Sequence, residues 1–156
     1  MNSRHETGDD VLRARLRSAH ARSLRLTKDR LQRYSCTHGL GAAHELEQAG
    51  FFACLAFEAV LAHIKSRLGY DWTQVEAASA ISQCEAEQLL TKSECQALKE
   101  ANRCRNHIVH RYTEKAGWTT VLETERVPAV THLDNAHSQI DAMQRAVETA
   151  GLRVLL

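Results

Sequence analysis

The segment "TKSECQALKEANRCRNHIVHRY", Thr91 to Tyr112, decides how the chain folds. Thr91 and Glu94 have the T-x-x-E spacing of a capping box, in which each side chain satisfies a backbone N–H at a helix start. Neither proline nor glycine follows before Gly117, so one helix is expected to run through "RCRNHIVHRY" and stop at Gly117. At about 100° per residue, Leu98, Ala101, Arg105, Val109 and Tyr112 share a broad face. Asn106 and His110 are four apart beside that face, and Arg103, seven residues from His110, falls on almost the same line. Arg105 is out of place among apolar neighbours, where an unpaired guanidinium is costly. Either it pairs with an acidic group from another helix, or its face meets a second subunit and a phosphate.

Working outward, the rest of the chain also reads as helix. Asp9 and Asp10 can cap a first helix running to about Tyr34, which "SCTHGLG" breaks. A second helix is expected from about Glu45 to Leu68, its apolar positions Phe52, Leu55, Ala59, Ala62 and Ile64 recurring near helical spacing, with "LGYDW" ending it. Thr73 and Glu76 repeat the capping pattern and are expected to open a third helix to about Leu90. After Gly117, "WTTVLETERVP" reads as an irregular or extended link whose Val121 and Leu122 can touch the core. A last helix should follow Pro128 and end near Gly151. With no repeat, low-complexity tract or interdomain linker, the expected architecture is one domain spanning residues 1–156. It is an all-α bundle of four to five helices with short connections and antiparallel neighbours.

Composition agrees. The chain has 156 residues, one proline and three phenylalanines, and suits a single core rich in helix formers. Its "MNSRHETGDD" start lacks the apolar stretch of a signal peptide, and no apolar run looks long enough to span a bilayer, so a cytoplasmic chain without membrane contact is expected. The five cysteines, Cys36, Cys54, Cys84, Cys95 and Cys104, include no C-x-x-C pair and read as buried free thiols. His107 and His110 have i, i+3 spacing, but no carboxylate or third histidine stands at matching spacing, so no metal site is expected. Net charge is only +1, yet from Arg13 to Arg33 eight basic residues oppose Asp29 alone. That helix face is either simply solvated or attracts a polyanion through its phosphates. Aromatic residues for base stacking are scarce along it, so any binding would follow the backbone rather than read sequence.

The pattern Arg105-Asn106-x-x-x-His110-x-Tyr112, with Val109 before the histidine, resembles the R-N-x-x-V-H-x-Y signature of HepT-like toxins in the HEPN superfamily. The long helix "ELEQAGFFACLAFEAVLAHIKSRLG", then Leu89-Leu90 and Leu98 ahead of the motif, extend the resemblance over roughly Leu12 to Met143. The resemblance implies a four- or five-helix HEPN-like bundle that forms a homodimer, with both motif copies lining one cleft. It implies a metal-independent endoribonuclease of a toxin–antitoxin pair, needing no cofactor. In such enzymes the RNA's own 2′-hydroxyl attacks and a 2′,3′-cyclic phosphate is left.

The residue chemistry suits those roles. His110 titrates near neutrality and can move the proton. Arg105 can hold the scissile phosphate and offset its growing charge, and Asn106 can orient the phosphate or the imidazole. Tyr112 matches the tyrosine that, in the family, receives AMP from a partner nucleotidyltransferase antitoxin; otherwise it is a core or interface aromatic. Arg103 also satisfies an R-x6-H spacing, but Asn106 follows Arg105 as the pattern requires. Arg111 stands where the family often has an acid, and with Arg103 it is a candidate accessory RNA contact. His107 and Arg111 are expected to face solvent or the partner groove, and His38, His44 and His63 to be structural. The competing readings are a non-catalytic HEPN binding module that partners a nucleotidyltransferase, and a plain helical assembly protein.

Overall fold

A computed structural model describes residues 8–38, 40–69, 72, 74–108 and 129–155. These form five α-helices: α1 Gly8–Ser35, α2 Leu40–Leu68, α3 Ala77–Ala86, α4 Lys92–His107 and α5 Ala129–Val154. No strand occurs among the described residues. The all-α class expected from the sequence is therefore observed. Asp9 and Asp10 fall inside α1 rather than capping it, and α2 begins five residues before Glu45. Gly117, Val121, Leu122 and Pro128 lie outside the described residues.

α4 packs mainly against α5 and α3, whereas α1, α3 and α5 all pack on α2. α1 lies along it, joined by the short link 36–39, and α3, α4 and α5 also touch it. Three bonds close the end of α1: the Cys36 amide donates to the Arg33 carbonyl (3.0 Å), the Thr37 amide to Tyr34 (3.2 Å), and the Thr37 hydroxyl to Arg33 (2.7 Å). They satisfy carbonyls that a helix end leaves without partners. The part-buried pair Arg30–Glu45 (3.2 Å) ties the hairpin together. Along the inner side of α2, Ala42, Ala43, Ala49, Ala53 and Ala56 are buried beside Leu46, Phe57 and Val60. Small residues let neighbouring helices come close. A Cβ on Gly50 would stand 3.3 Å from the Ile108 side chain and 3.5 Å from Ile140.

The face of α2 differs from expectation. Ala59 and Ile64 are buried and Phe52 is partly so, but Ala62 is exposed and Leu55 is 42% exposed. The helix is apolar on nearly every side because several helices surround it, so periodicity alone cannot choose its outer face. By length and composition it is also the one described helix apolar enough to cross a membrane, contrary to the expectation that no run would be. In the bundle, 56% of that window is buried, so packing accounts for the composition.

The third helix is shorter than expected. Its N-cap is Glu76, which makes no side-chain capping bond, and it ends at Ala86 rather than Leu90. Thr73 lies outside the described residues. The end is a Schellman turn: the Leu89 amide donates to the Cys84 carbonyl (2.9 Å) and the Gln88 amide to Glu85 (3.0 Å), with Gln88 at φ 60°. α5 runs through Gly151 instead of ending there. That glycine serves packing, since a Cβ at Gly151 would collide with the His20 ring of α1.

Candidate functional site

α4 starts as its sequence dictates. The Glu94 amide donates to the Thr91 hydroxyl (3.1 Å), and the Thr91 amide donates to the Glu94 carboxylate (2.9 Å). From that start, Cys95, Leu98, Ala101, Cys104 and Ile108 are buried. This inward stripe fixes the outward placement of the residues between them. Asn102, Arg105 and Asn106 line a cleft of about 360 Å³ against Glu76, Ala77 and Ala78 at the start of α3.

Arg105 sits at the edge of the core, its side chain 22% exposed. Nη1 donates to Glu58 Oε1 of α2 (2.7 Å) and Nη2 to Asn102 Oδ1 (2.8 Å). The guanidinium lies 5.3 Å from the centroid of the Phe57 ring, a cation–π distance. Nε is buried without a hydrogen-bond partner. Of the two arrangements open for Arg105, the acidic partner from another helix is present within the chain. The Glu58 carboxylate remains 49% exposed, so the pair opens to solvent on one side. Beside it, burial pushes the Cys54 thiol up to about 11, against the opposing pull of Arg105. Cys54 is therefore a neutral packing group and no nucleophile near pH 7.

Arg103 is turned away. It pairs with Glu100 one turn back (Nε to Oε2 3.0 Å) and is exposed. The structure thus brings Arg105 and Asn106 together and leaves Arg103 out of the cleft. His107 is half-buried rather than fully facing solvent. Val109, His110, Arg111 and Tyr112 lie outside the described residues.

Electrostatically the cleft is mixed. The guanidinium and the positive end of the α3 dipole favour an anion, while Glu76 opposes it. Among the described residues no group of three or more His, Cys, Asp or Glu side chains could hold a metal. Cys84, Cys95 and Cys104 are buried thiols, but Cys36 is exposed, contrary to expectation.

Glu58, Phe57 and Asn102 were not foreseen as site residues. Glu58 had a signal: it is the single carboxylate in the apolar run from Phe51 to Ile64. Asn102, three residues before Arg105, had none beyond its helical spacing. No family model matches the chain, and no curated protein or solved structure is significantly similar to it.

Proposed function

We propose that the chain is a metal-independent endoribonuclease of the HEPN type, acting as the toxin of a toxin–antitoxin pair and working as a homodimer. One observation carries the reading: Arg105 and Asn106, adjacent in the motif, share one open cleft at the start of α3, while Arg103 turns to solvent. An arginine held by two partners, with donors still unspent, is a pre-oriented phosphate clamp. The RNA 2′-hydroxyl attacks the adjacent phosphorus, the 5′-oxygen departs, and a 2′,3′-cyclic phosphate remains. Arg105 offsets charge on the phosphate oxygens. Asn106 orients the phosphate or the imidazole. His110 moves the proton, which requires its ring within reach of Asn106 and the phosphate. Tyr112 is the site at which a nucleotidyltransferase antitoxin attaches AMP. The added phosphodiester charge pairs with Arg105 and excludes substrate.

The test is cleavage of RNA in EDTA with analysis of the ends. Cyclic phosphate termini are expected, with a loss on the order of 10²–10⁴-fold in His110→Ala. An unchanged rate in that variant rules the chemistry out.

A second reading has its own observation. The Glu58–Arg105–Asn102 tie over Phe57 would suit a bundle that needs no catalysis, as in a HEPN-type binding module partnering a nucleotidyltransferase. That reading expects Arg105→Ala to lower stability without any RNA cleavage to lose.

A further inference from the structure

Outside the cleft, α1 and α2 enclose a groove of about 530 Å³ lined by Arg15, Ser18, Arg22, Leu26, Phe52 and Leu55, among others. Three of the eight basic residues of α1 are neutralised: Lys28 by Glu148, Arg30 by Glu45 and Arg33 by Asp29. Arg13, Arg15, Arg17, Arg22 and Arg25, toward the other end, have no ion pair among the described residues. Arg15 and Arg22 are seven residues apart and so lie on one line of the helix. The aromatic partner missing from α1 comes from α2. Phe52 lines the groove, and Phe51, 55% exposed, meets it edge-on at 5.6 Å between centroids and 65° between planes.

The groove and the cleft share no lining residue, but one arc of α2 leads from the first to Arg105 at the edge of the second, past the exposed Glu58. At 100° per residue, Phe52, Leu55, Phe51, Glu58 and Cys54 follow one another around a continuous arc of α2. Phe52 borders α1, while Glu58 and Cys54 border Arg105 of α4. Leu55 stands three residues before Glu58, about 5 Å along the axis. We propose that the groove holds the single-stranded RNA flanking the scissile phosphate, with backbone phosphates on Arg15 and Arg22 and a base on the Phe52 ring. The proposal rests on the ribonuclease reading for the identity of the polyanion. Charge selects the occupant: among the described residues no acidic side chain lines the groove.

The experiment titrates a fluorescein-labelled oligouridylate dodecamer in EDTA against the full chain carrying His110→Ala, so the RNA survives. Arg15→Ala with Arg22→Ala should weaken binding at least tenfold. It should make the salt dependence shallower by about 1.4 in log–log slope, at roughly 0.7 per phosphate contact on a single strand. Phe52→Leu keeps apolar bulk and should weaken binding roughly 5- to 10-fold through lost stacking. Lys28→Ala with Arg33→Ala removes the same charge from the other end of α1 and should bind within about twofold of the parent, because neither side chain lines the groove. Equal affinity and slope in the Arg15/Arg22 variant overturns the groove, even if the wild-type chain cuts RNA. Groove-dependent binding by a wild-type chain that never cuts upholds the groove and removes the ribonuclease. If the double variant alters only the mass in light scattering, the groove is a protein interface and the proposal fails.

Discussion

Arg105 is tied into the fold, and in the proposed ribonuclease the same side chain would hold the scissile phosphate. Its ion pair with Glu58 is half-open to water, so it is worth well under the energy of a buried pair, and the stack on Phe57 adds about 0.5–1 kcal/mol. Arg105→Ala should therefore cost roughly 1 kcal/mol in thermal unfolding, yet remove on the order of 10²–10³-fold of RNA cleavage. A variant that melts far lower and is merely as inactive as other destabilised forms would make Arg105 a structural tie. Arg105→Lys keeps the charge but cannot hold Glu58 and Asn102 together, so it should rescue stability more than rate. Arg103→Ala should leave both nearly unchanged, since among the described residues its ion-pair partner is Glu100 on the same exposed face. The sequence led to Arg105 because an arginine on an apolar face is costly unless paired, but its partner lay forty-seven positions earlier, beyond any local spacing rule. His20 gives a separate expectation. Its Nε2 meets the Val147 carbonyl at 3.1 Å, and burial lowers its pKa against the raising effects of that bond and Glu148. The unfolded chain therefore takes the proton first, below about pH 6.5. The stability contribution of neutral His20 is full above that value and is lost as pH falls through the lower folded pKa. Melting curves between pH 7.5 and 5 should drop more steeply for wild type than for His20→Gln; parallel curves would assign the acid sensitivity elsewhere.

Helix ends separate what the sequence made legible from what it hid. The Thr91–Glu94 box is local, and it forms as its spacing requires. Thr91→Ala should cost about 1 kcal/mol in denaturant unfolding, with little effect on RNA binding, because α4 is anchored further along by Leu98, Ala101 and Cys104. A drop in binding as large as the drop in stability would mean that the cap also sets the cleft. The end of α3 was illegible because the left-handed position is filled by Gln88 instead of glycine. Gln88→Gly relieves that backbone cost, keeps the Schellman bonds and should raise stability by up to about 1 kcal/mol. No gain would mean that the Gln88 side chain compensates for its own strain. Gly151 misled in the opposite direction, because a glycine admitting the His20 ring looks in sequence like a helix stop. On α2 the helix itself was plain, but its outer face was not. A helix apolar all round declares burial and leaves its exposed stripe to be set by partners that only the three-dimensional packing reveals.

At the scale of the molecule, the ribonuclease reading needs two chains. One chain supplies a cleft with Arg105, Asn106 and the start of α3, and its guanidinium is already shared between Glu58 and Asn102, so a second arginine from a partner would add to the clamp. A two-fold axis repeats every contact, so both Arg105 side chains and both His110 side chains would border a single composite cleft. Two guanidinium groups there would repel until an anion lies between them, which places the phosphate at the axis. Light scattering should return twice the mass of one chain at micromolar concentration, and a monomer would count against the composite site. Mixing variants is the stronger test. Arg105→Ala and His110→Ala homodimers should each be nearly inactive. If the cleft is shared, a mixed dimer keeps one arginine and one histidine around the same phosphate and should recover a substantial fraction of activity after co-refolding. If each chain carries its own complete site, every site in the mixed dimer lacks one group and the mixture stays inactive. A dimer by mass with no recovery on mixing would leave two independent sites, each dependent on the Arg105 and His110 of its own chain.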